Sequence, residues 1–165
     1  MKEWKDDKKW SDVFIPEIKQ ILGLYLIGEP PEEEDQKRNT DLIVLKLNSV
    51  RIACRIRKFE YYERYPYEFT IREGRPSGIK TELAKVIEGW GDYMFYGFCD
   101  KDEKSLVSWE IINLNSFRLW FTQQLAKNKG VVPGTGKQNT DNSSNFRAFN
   151  IREMPTTIIF ASSHH

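Results

Sequence analysis

Cysteine is scarce in this chain of 165 residues: only Cys54 and Cys99 occur, and neither a CxxC nor a Cys/His spacing is present. Nothing in that spacing predicts a structural zinc site. Cys54 falls on the apolar side of an expected strand and reads as a small buried hydrophobe. Histidine is confined to positions 164 and 165, after Ser-Ser, where no argument rests on it. Without an internal imidazole, acid–base and triad chemistry by histidine are excluded, and many hydrolase classes go with them. No apolar stretch approaches the roughly 20 residues needed to span a bilayer. The opening MKEWKDDKKW is too polar for a signal peptide. A cytoplasmic protein without a membrane partner is the expectation.

Net charge is also nearly absent, at +1, so the total does not announce a polyanion binder. Its distribution is more informative. From Arg51 to Lys85 nine Lys or Arg stand against five Glu, whereas Glu29 to Asp35 is acidic. The length fits one domain, 1–165, with a substantial core. Five tryptophans and ten phenylalanines predict that this core is heavy in rings.

The stretch Thr40 to Arg57, TDLIVLKLNSVRIACRIR, organises the rest. Asp41 opens a nearly unbroken apolar run, Leu42 to Leu47, which suits a strand covered on both faces. After the break at Asn48-Ser49 a second strand is expected over 51–57. There Ile52, Cys54 and Ile56 face one way, and Arg51, Ala53, Arg55 and Arg57 the other. Read as a hairpin, the two strands set a carboxylate beside a row of guanidinium groups, the layout of a phosphate-handling site.

Around this hairpin, helical spacing of Val13, Phe14, Ile18, Ile21 and Leu22 predicts a helix over 11–24 capped by Ser11. An edge strand is expected at 24–27, followed by the acidic loop GEPPEEEDQKRN. The stretch KFEYYERYP reads as a loop. YEFTIRE alternates as a strand with Phe69 and Ile71 inward and Glu68, Thr70 and Arg72 outward. If it shares a sheet with 51–57, their polar faces merge into one basic surface. A helix is predicted over 79–88 on Ile79, Leu83, Val86 and Ile87, with Gly89 as its C-terminal cap. DYMFYGF and residues 106–112 are the next strands. Asn115 is expected to cap a helix from 116 to about 128, ended by Gly130. Residues 131–145 read as a surface loop, and 157–160 as a closing strand. Trp90 and Trp109 are assigned to the core.

This order of helix, strands, helix and strand around Asp41 resembles the core of the PD-(D/E)XK nuclease superfamily over residues 10–98. Residues 99–165 then supply a C-terminal helix, loop and closing strand. The resemblance implies an α+β (or α/β) fold with a mixed central sheet flanked by helices, a restriction-endonuclease-like core. It further implies an acid at the mouth of the middle strand, matched by Asp41, and an accessory acid on the first helix, matched by Glu17. The family's acid and lysine on the next strand fall on Arg55 and Arg57, so that the second carboxylate and the lysine are both arginines here. An arginine cannot ligate Mg²⁺. Some members carry the second acid on the following helix, where Glu82 stands. The stretch from Glu68 to Phe98 also resembles an uncharacterised type of protein from phages and mobile elements.

Three functions follow from the resemblance. The first is a catalytically degenerate nuclease-like fold that binds DNA or RNA through Arg55, Arg57, Arg72, Lys80 and Lys85. The second is a Mg²⁺-dependent nuclease using Asp41, Glu17 and Glu82, with Asp41 and Glu17 on the metal. The third is a protein-binding factor of phage or mobile-element type, for which Glu29 to Asp35 would meet a basic partner. From the residues themselves, Tyr61, Tyr62, Tyr65 and Tyr67 around Arg64 read either as packing or as a platform for unpaired bases. The GTGK at 134–137 lacks the preceding glycine, the Ser/Thr and the leading strand of a phosphate loop.

Overall fold

A computed structural model describes residues 4–28, 43–44, 50–74, 81–139 and 144–164. The fold is α+β. Its helices are α1 (Trp4–Asp12), α2 (Ile15–Leu26), α3 (Phe59–Arg64), α4 (Glu82–Ile87) and α5 (Leu114–Lys127). Its strands are β1 (Ile27–Gly28), β2 (Ile43–Val44), β3 (Ile52–Arg57), β4 (Glu68–Gly74), β5 (Tyr93–Cys99), β6 (Leu106–Asn113), β7 (Thr135–Gln138), β8 (Asn145–Asn150) and β9 (Ile159–Ser162). A four-stranded mixed sheet runs β3-β5-β6-β9, with β3 parallel to β5 and the other pairs antiparallel. A three-stranded antiparallel sheet runs β4-β8-β7. No helix among the described residues is long and apolar enough to cross a membrane.

The layering follows from the period of two along β5. Met94, Tyr96 and Phe98 point into one cluster with Phe69, Phe117 and Phe149, beneath α4, α5 and the second sheet. Phe95 and Cys99 point into the other, with Phe14 and Ile18 of the α2 side and Ile56 of β3. A strand buried on both faces reads as an unbroken apolar run, as YMFYGFC does. The expected ring-rich core is present: Phe149 stacks on Phe69 at 5.2 Å between centroids and meets Phe117 edge-on at 5.1 Å.

Several expectations change. The helix predicted over 11–24 is two helices broken at Val13-Phe14, and it runs on to Leu26, so the edge strand shrinks to Ile27–Gly28. Ser11 caps nothing; its hydroxyl donates to the Lys8 carbonyl at 2.9 Å. Among the described residues β2 pairs with β1 rather than with β3. β3 instead aligns in parallel with β5, from Ile52 opposite Tyr93 to Arg57 opposite Phe98. Asp92 fixes that register, since its side chain accepts from the Arg51 amide at 2.8 Å while its own amide donates to the Arg51 carbonyl at 2.8 Å. β4 does not share a sheet with β3; it is paired with β8 in the second sheet.

The tyrosine-rich loop is the helix α3. Phe59 and Tyr62 fall on one side of it, and Tyr62 packs on Phe98 at 5.7 Å. Asn113, not Asn115, caps α5: its Oδ1 accepts from the amides of Asn115 and Ser116 at 3.0 and 3.1 Å. The closing strand begins at Ile159, after a 3₁₀ turn over Thr156–Ile158. Cys99 is buried, but Cys54 is exposed. Cys54 lies on β3, the strand at one end of the sheet order, and lines an open cleft.

The 131–145 loop contains β7, whose register comes from β8 and not from any apolar pattern of its own. Gly134 makes the turn into it at φ +81°, and a Cβ there would sit 2.7 Å from the Ala148 carbonyl oxygen and 2.8 Å from the Phe149 ring. Gly134→Ala is therefore expected to destabilise the fold by about 1–3 kcal/mol, since it adds strain at a left-handed position to a backbone clash. Urea denaturation checks this; an unchanged midpoint would refute the placement of the β7 turn.

Candidate functional site

The sequence directs Arg55 off β3 toward β4 and α4. There its Nη1 donates to Glu82 Oε2 at 2.6 Å and to the Thr70 carbonyl at 2.9 Å. Glu82 lies in the first turn of α4, and its Oε2 also accepts the Arg72 amide of β4 at 3.1 Å. One half-buried ion pair thus ties the four-stranded sheet to the second sheet and to α4. The merged basic surface expected from a shared sheet arises instead through this bridge.

Around the bridge is a cleft of about 750 Å³. Its lining brings Lys8, Arg51, Arg55, Arg72 and Lys85 together, with Glu82 as the one carboxylate among the described lining residues. The cations are not equivalent. Arg55 is held by Glu82, and Arg51 lies 3.5 Å from Asp92. Lys8 pairs with Asp12 at 2.7 Å on an exposed face, where such pairs are weak and readily exchanged. Lys85 is exposed on the last turn of α4.

Trp90 stands at the same cleft and is 62% exposed, which corrects its assignment to the core. The cause is the end of α4. Gly89 adopts φ +97°, its amide donates to the Val86 carbonyl at 3.1 Å, and the Trp90 amide donates to the Lys85 carbonyl at 3.0 Å. This left-handed cap satisfies the last carbonyls and turns the next residue outward. Below it, Arg118 of α5 donates to the carbonyls of Val86 and Gly91 at 3.0 and 3.3 Å, tying down both sides of the turn. Burial lowers the pKa of that guanidinium, with the neighbouring Arg51 adding to the effect against Asp92. Trp109, by contrast, is partly buried and stacks on Phe95 at 6.0 Å.

Of the residues singled out from sequence, the structure gathers Arg55, Arg72, Lys85 and Glu82 in this cleft. Arg57 is on the same face of β3 but lines a second cleft, with its guanidinium 3.9 Å from the centroid of Tyr61. Asp41 and Lys80 lie outside the described residues, as does the acidic run from Glu29 to Asp35. Glu17 lines neither cleft; its two oxygens accept the Leu106 amide at 3.3 and 3.0 Å and so fix the start of β6. Sequence reading missed Lys8 and Trp90 as part of the site, and it placed Arg51 in the guanidinium row without naming it as a contact. Arg51 was legible in the alternation of β3, whereas nothing marked Trp90 as exposed.

Among the described residues no three His, Cys, Asp or Glu side chains converge as a metal site. The single carboxylate among the described lining residues of the cleft is already taken by a guanidinium and a backbone amide. The described donors of the cleft do not by themselves fit a Mg²⁺ ion, which takes oxygen ligands in a near-octahedral shell. His164, set aside in the sequence, hydrogen-bonds to the Ser108 hydroxyl at 2.7 Å and lies over Tyr67 at 5.4 Å. Burial lowers its pKa, as does Arg152. Ser108 is fully buried, so its hydroxyl is closed to a substrate. No family model, curated protein or solved structure matches the chain.

Proposed function

We propose that the protein binds nucleic acid through the Arg55–Trp90 cleft, as a phosphate-contacting surface without a metal centre. The observation that carries this is the composition of one concave surface: among its described residues five Lys or Arg, one carboxylate that is already paired, and a solvent-facing indole. Lys85, Arg72 and Lys8 are the phosphate contacts, since phosphate oxygens are met by cations whose position carries no sequence information. Trp90 is the stacking platform, and every base offers it a π-face. Arg55 acts as a positioning residue that holds the two sheets and α4 in register. This is the degenerate form of the nuclease-like reading, with arginines where that family places an acid and a lysine. Unpaired strands or loops are the preferred ligand, because a duplex would keep its bases from the indole.

Binding of labelled single-stranded and duplex oligonucleotides, followed by anisotropy across a salt series, tests the reading. Log Kobs should fall linearly with log salt at about 0.7 per neutralised phosphate for single strands. Lys85→Ala should weaken both ligands and flatten that slope. Trp90→Ala should cost about 1–3 kcal/mol against single strands and much less against duplex. Salt-insensitive binding, or none, would overturn the proposal and favour a protein partner.

A further inference from the structure

The second cleft, also about 750 Å³, is separate in its lining from the one just described. Among the described residues three cations line it, Arg57, Arg64 and Lys137, against one carboxylate, Glu68, which is 2.8 Å from Lys137 Nζ. Arg57 is held by an aromatic face, 3.9 Å from the Tyr61 centroid, and no carboxylate lies within ion-pair distance of it among the described residues. Its polar contact is the Thr70 hydroxyl at 3.5 Å, a long and weak one. A guanidinium stacked on a ring keeps most of its five donors for an incoming anion. Arg64 is exposed at the end of α3.

The aromatic part comes from the unforeseen helix. α3 places Tyr61 and, one turn later at its C-cap, Tyr65 along one side. They are 43% and 42% exposed, far more than a packing role requires. Lys137 Nζ lies 4.1 Å from the Tyr65 centroid, so a cation flanks each ring. The floor is polar and built: Tyr96 and Thr70, both buried, share a hydroxyl–hydroxyl hydrogen bond of 3.1 Å. This puts Lys137 of the GTGK stretch at an anion site, although the stretch forms a strand and not a phosphate loop.

We propose that this cleft binds a nucleotide unit, an aromatic base bearing a phosphate. The base lies against Tyr61 or Tyr65, and the phosphate is held between Arg57, Arg64 and Lys137. The volume falls within the roughly 300–1,000 Å³ of small-ligand sites. The unit can come from a free mononucleotide or from an unpaired nucleotide of a strand, and both present the same chemistry. The inference rests on other residues than those of the Arg55–Trp90 cleft, so either can fail without the other.

The test is an amide chemical-shift titration of the full chain with the four ribonucleoside 5′-monophosphates, their nucleosides and inorganic phosphate, then with a single-stranded hexanucleotide. Saturable shifts along Thr135–Asn139 with the monophosphates, at least tenfold tighter than with inorganic phosphate or nucleosides, support the site with a free nucleotide as its ligand. Shifts there with the hexanucleotide alone support it with a strand as the source. In either case Arg64→Ala, at an exposed position, should weaken binding at least fivefold, and Tyr61→Leu should do so again, while Lys127→Ala, exposed on α5 and lining neither cleft, changes nothing at these amides. No saturable shift in either arm overturns the proposal. So does binding in which phosphate alone matches the monophosphates, or in which both cleft variants bind as wild type.

Discussion

Replacing Glu110 by leucine is expected to stabilise the protein above pH 7 and to remove most of the pH dependence of its stability between pH 6.5 and 8. Glu110 lies on β6 opposite Tyr96, is 1% exposed, and neither carboxylate oxygen has a hydrogen-bond partner. Burial pushes its pKa up from 4.5 to about 8. The sign follows from proton counting. Above pH 4.5 the unfolded chain releases this proton, whereas the folded protein keeps it until about pH 8. The contribution of Glu110 to stability is therefore full below pH 4.5, falls through the window and levels off above about pH 8. The slope approaches about 1.4 kcal/mol per pH unit inside the window. His164, whose pKa is lowered, acts in the opposite sense below its ordinary value of 6.5, so the cleanest interval is pH 6.5 to 8. Leucine removes both the titration and the unsatisfied oxygens, whereas Glu110→Gln removes only the titration and leaves a buried amide without partners. Urea midpoints at several pH values decide the matter. A wild-type profile flat from pH 6.5 to 8 would show that Glu110 is not the neutral buried acid described.

Glu82→Ala is expected to weaken the fold and at the same time to strengthen binding of polyanions. The loss arises because Arg55 and the Arg72 amide share Oε2 of this carboxylate, and hydrogen bonds to a charged group contribute about 1.5–3 kcal/mol. The gain arises because the cleft loses its one described carboxylate and Arg55 becomes available to phosphate. Arg55→Ala should also lower the urea midpoint but bind oligonucleotides more weakly than wild type. If Glu82 is instead a metal ligand, as the migrated-acid reading has it, its removal will abolish Mg²⁺-dependent cleavage and leave binding unimproved. Paired measurements of stability and anisotropy on the two variants and their double mutant separate these outcomes. Weaker binding by Glu82→Ala would show that Arg55 must stay clamped for the cleft to keep its shape.

What could be read from the sequence was whatever depended on one element at a time. The unbroken run in β5, the alternation of β3 and the apolar stripe of α5 each state their own type. Gly89 and Gly130 mark helix ends because only a left-handed residue closes them well. Pairing was not legible. The choice of β5 over β2 as partner of β3 depends on Asp92, thirty-five positions beyond Arg57, holding the Arg51 backbone. The Arg55–Glu82–Arg72 bridge is likewise assembled from three elements, so Glu82 gave no sign that it serves a guanidinium. Trp90 misled because an indole is most often buried; its exposure follows from one turn of backbone. Short α3 hid within a run of charges, and with it the clustering of Tyr61 and Tyr65.

The pairing of β4 with β8 bears on the order of folding. Glu68 meets Asn150 and Gly74 meets Asn145, so the second sheet joins the early part of the chain to a strand that comes after α5. Pairings so distant along the chain are slow to form, because loop closure is costly before any contact rewards it. On a ribosome, Phe69 and Ile71 would emerge and wait for Phe149 with their hydrogen-bonding edge open. The nascent chain is then most prone to aggregate between the synthesis of β4 and that of β8. Its folding should be limited by the arrival of that last third, however quickly α2, β5 and β6 assemble.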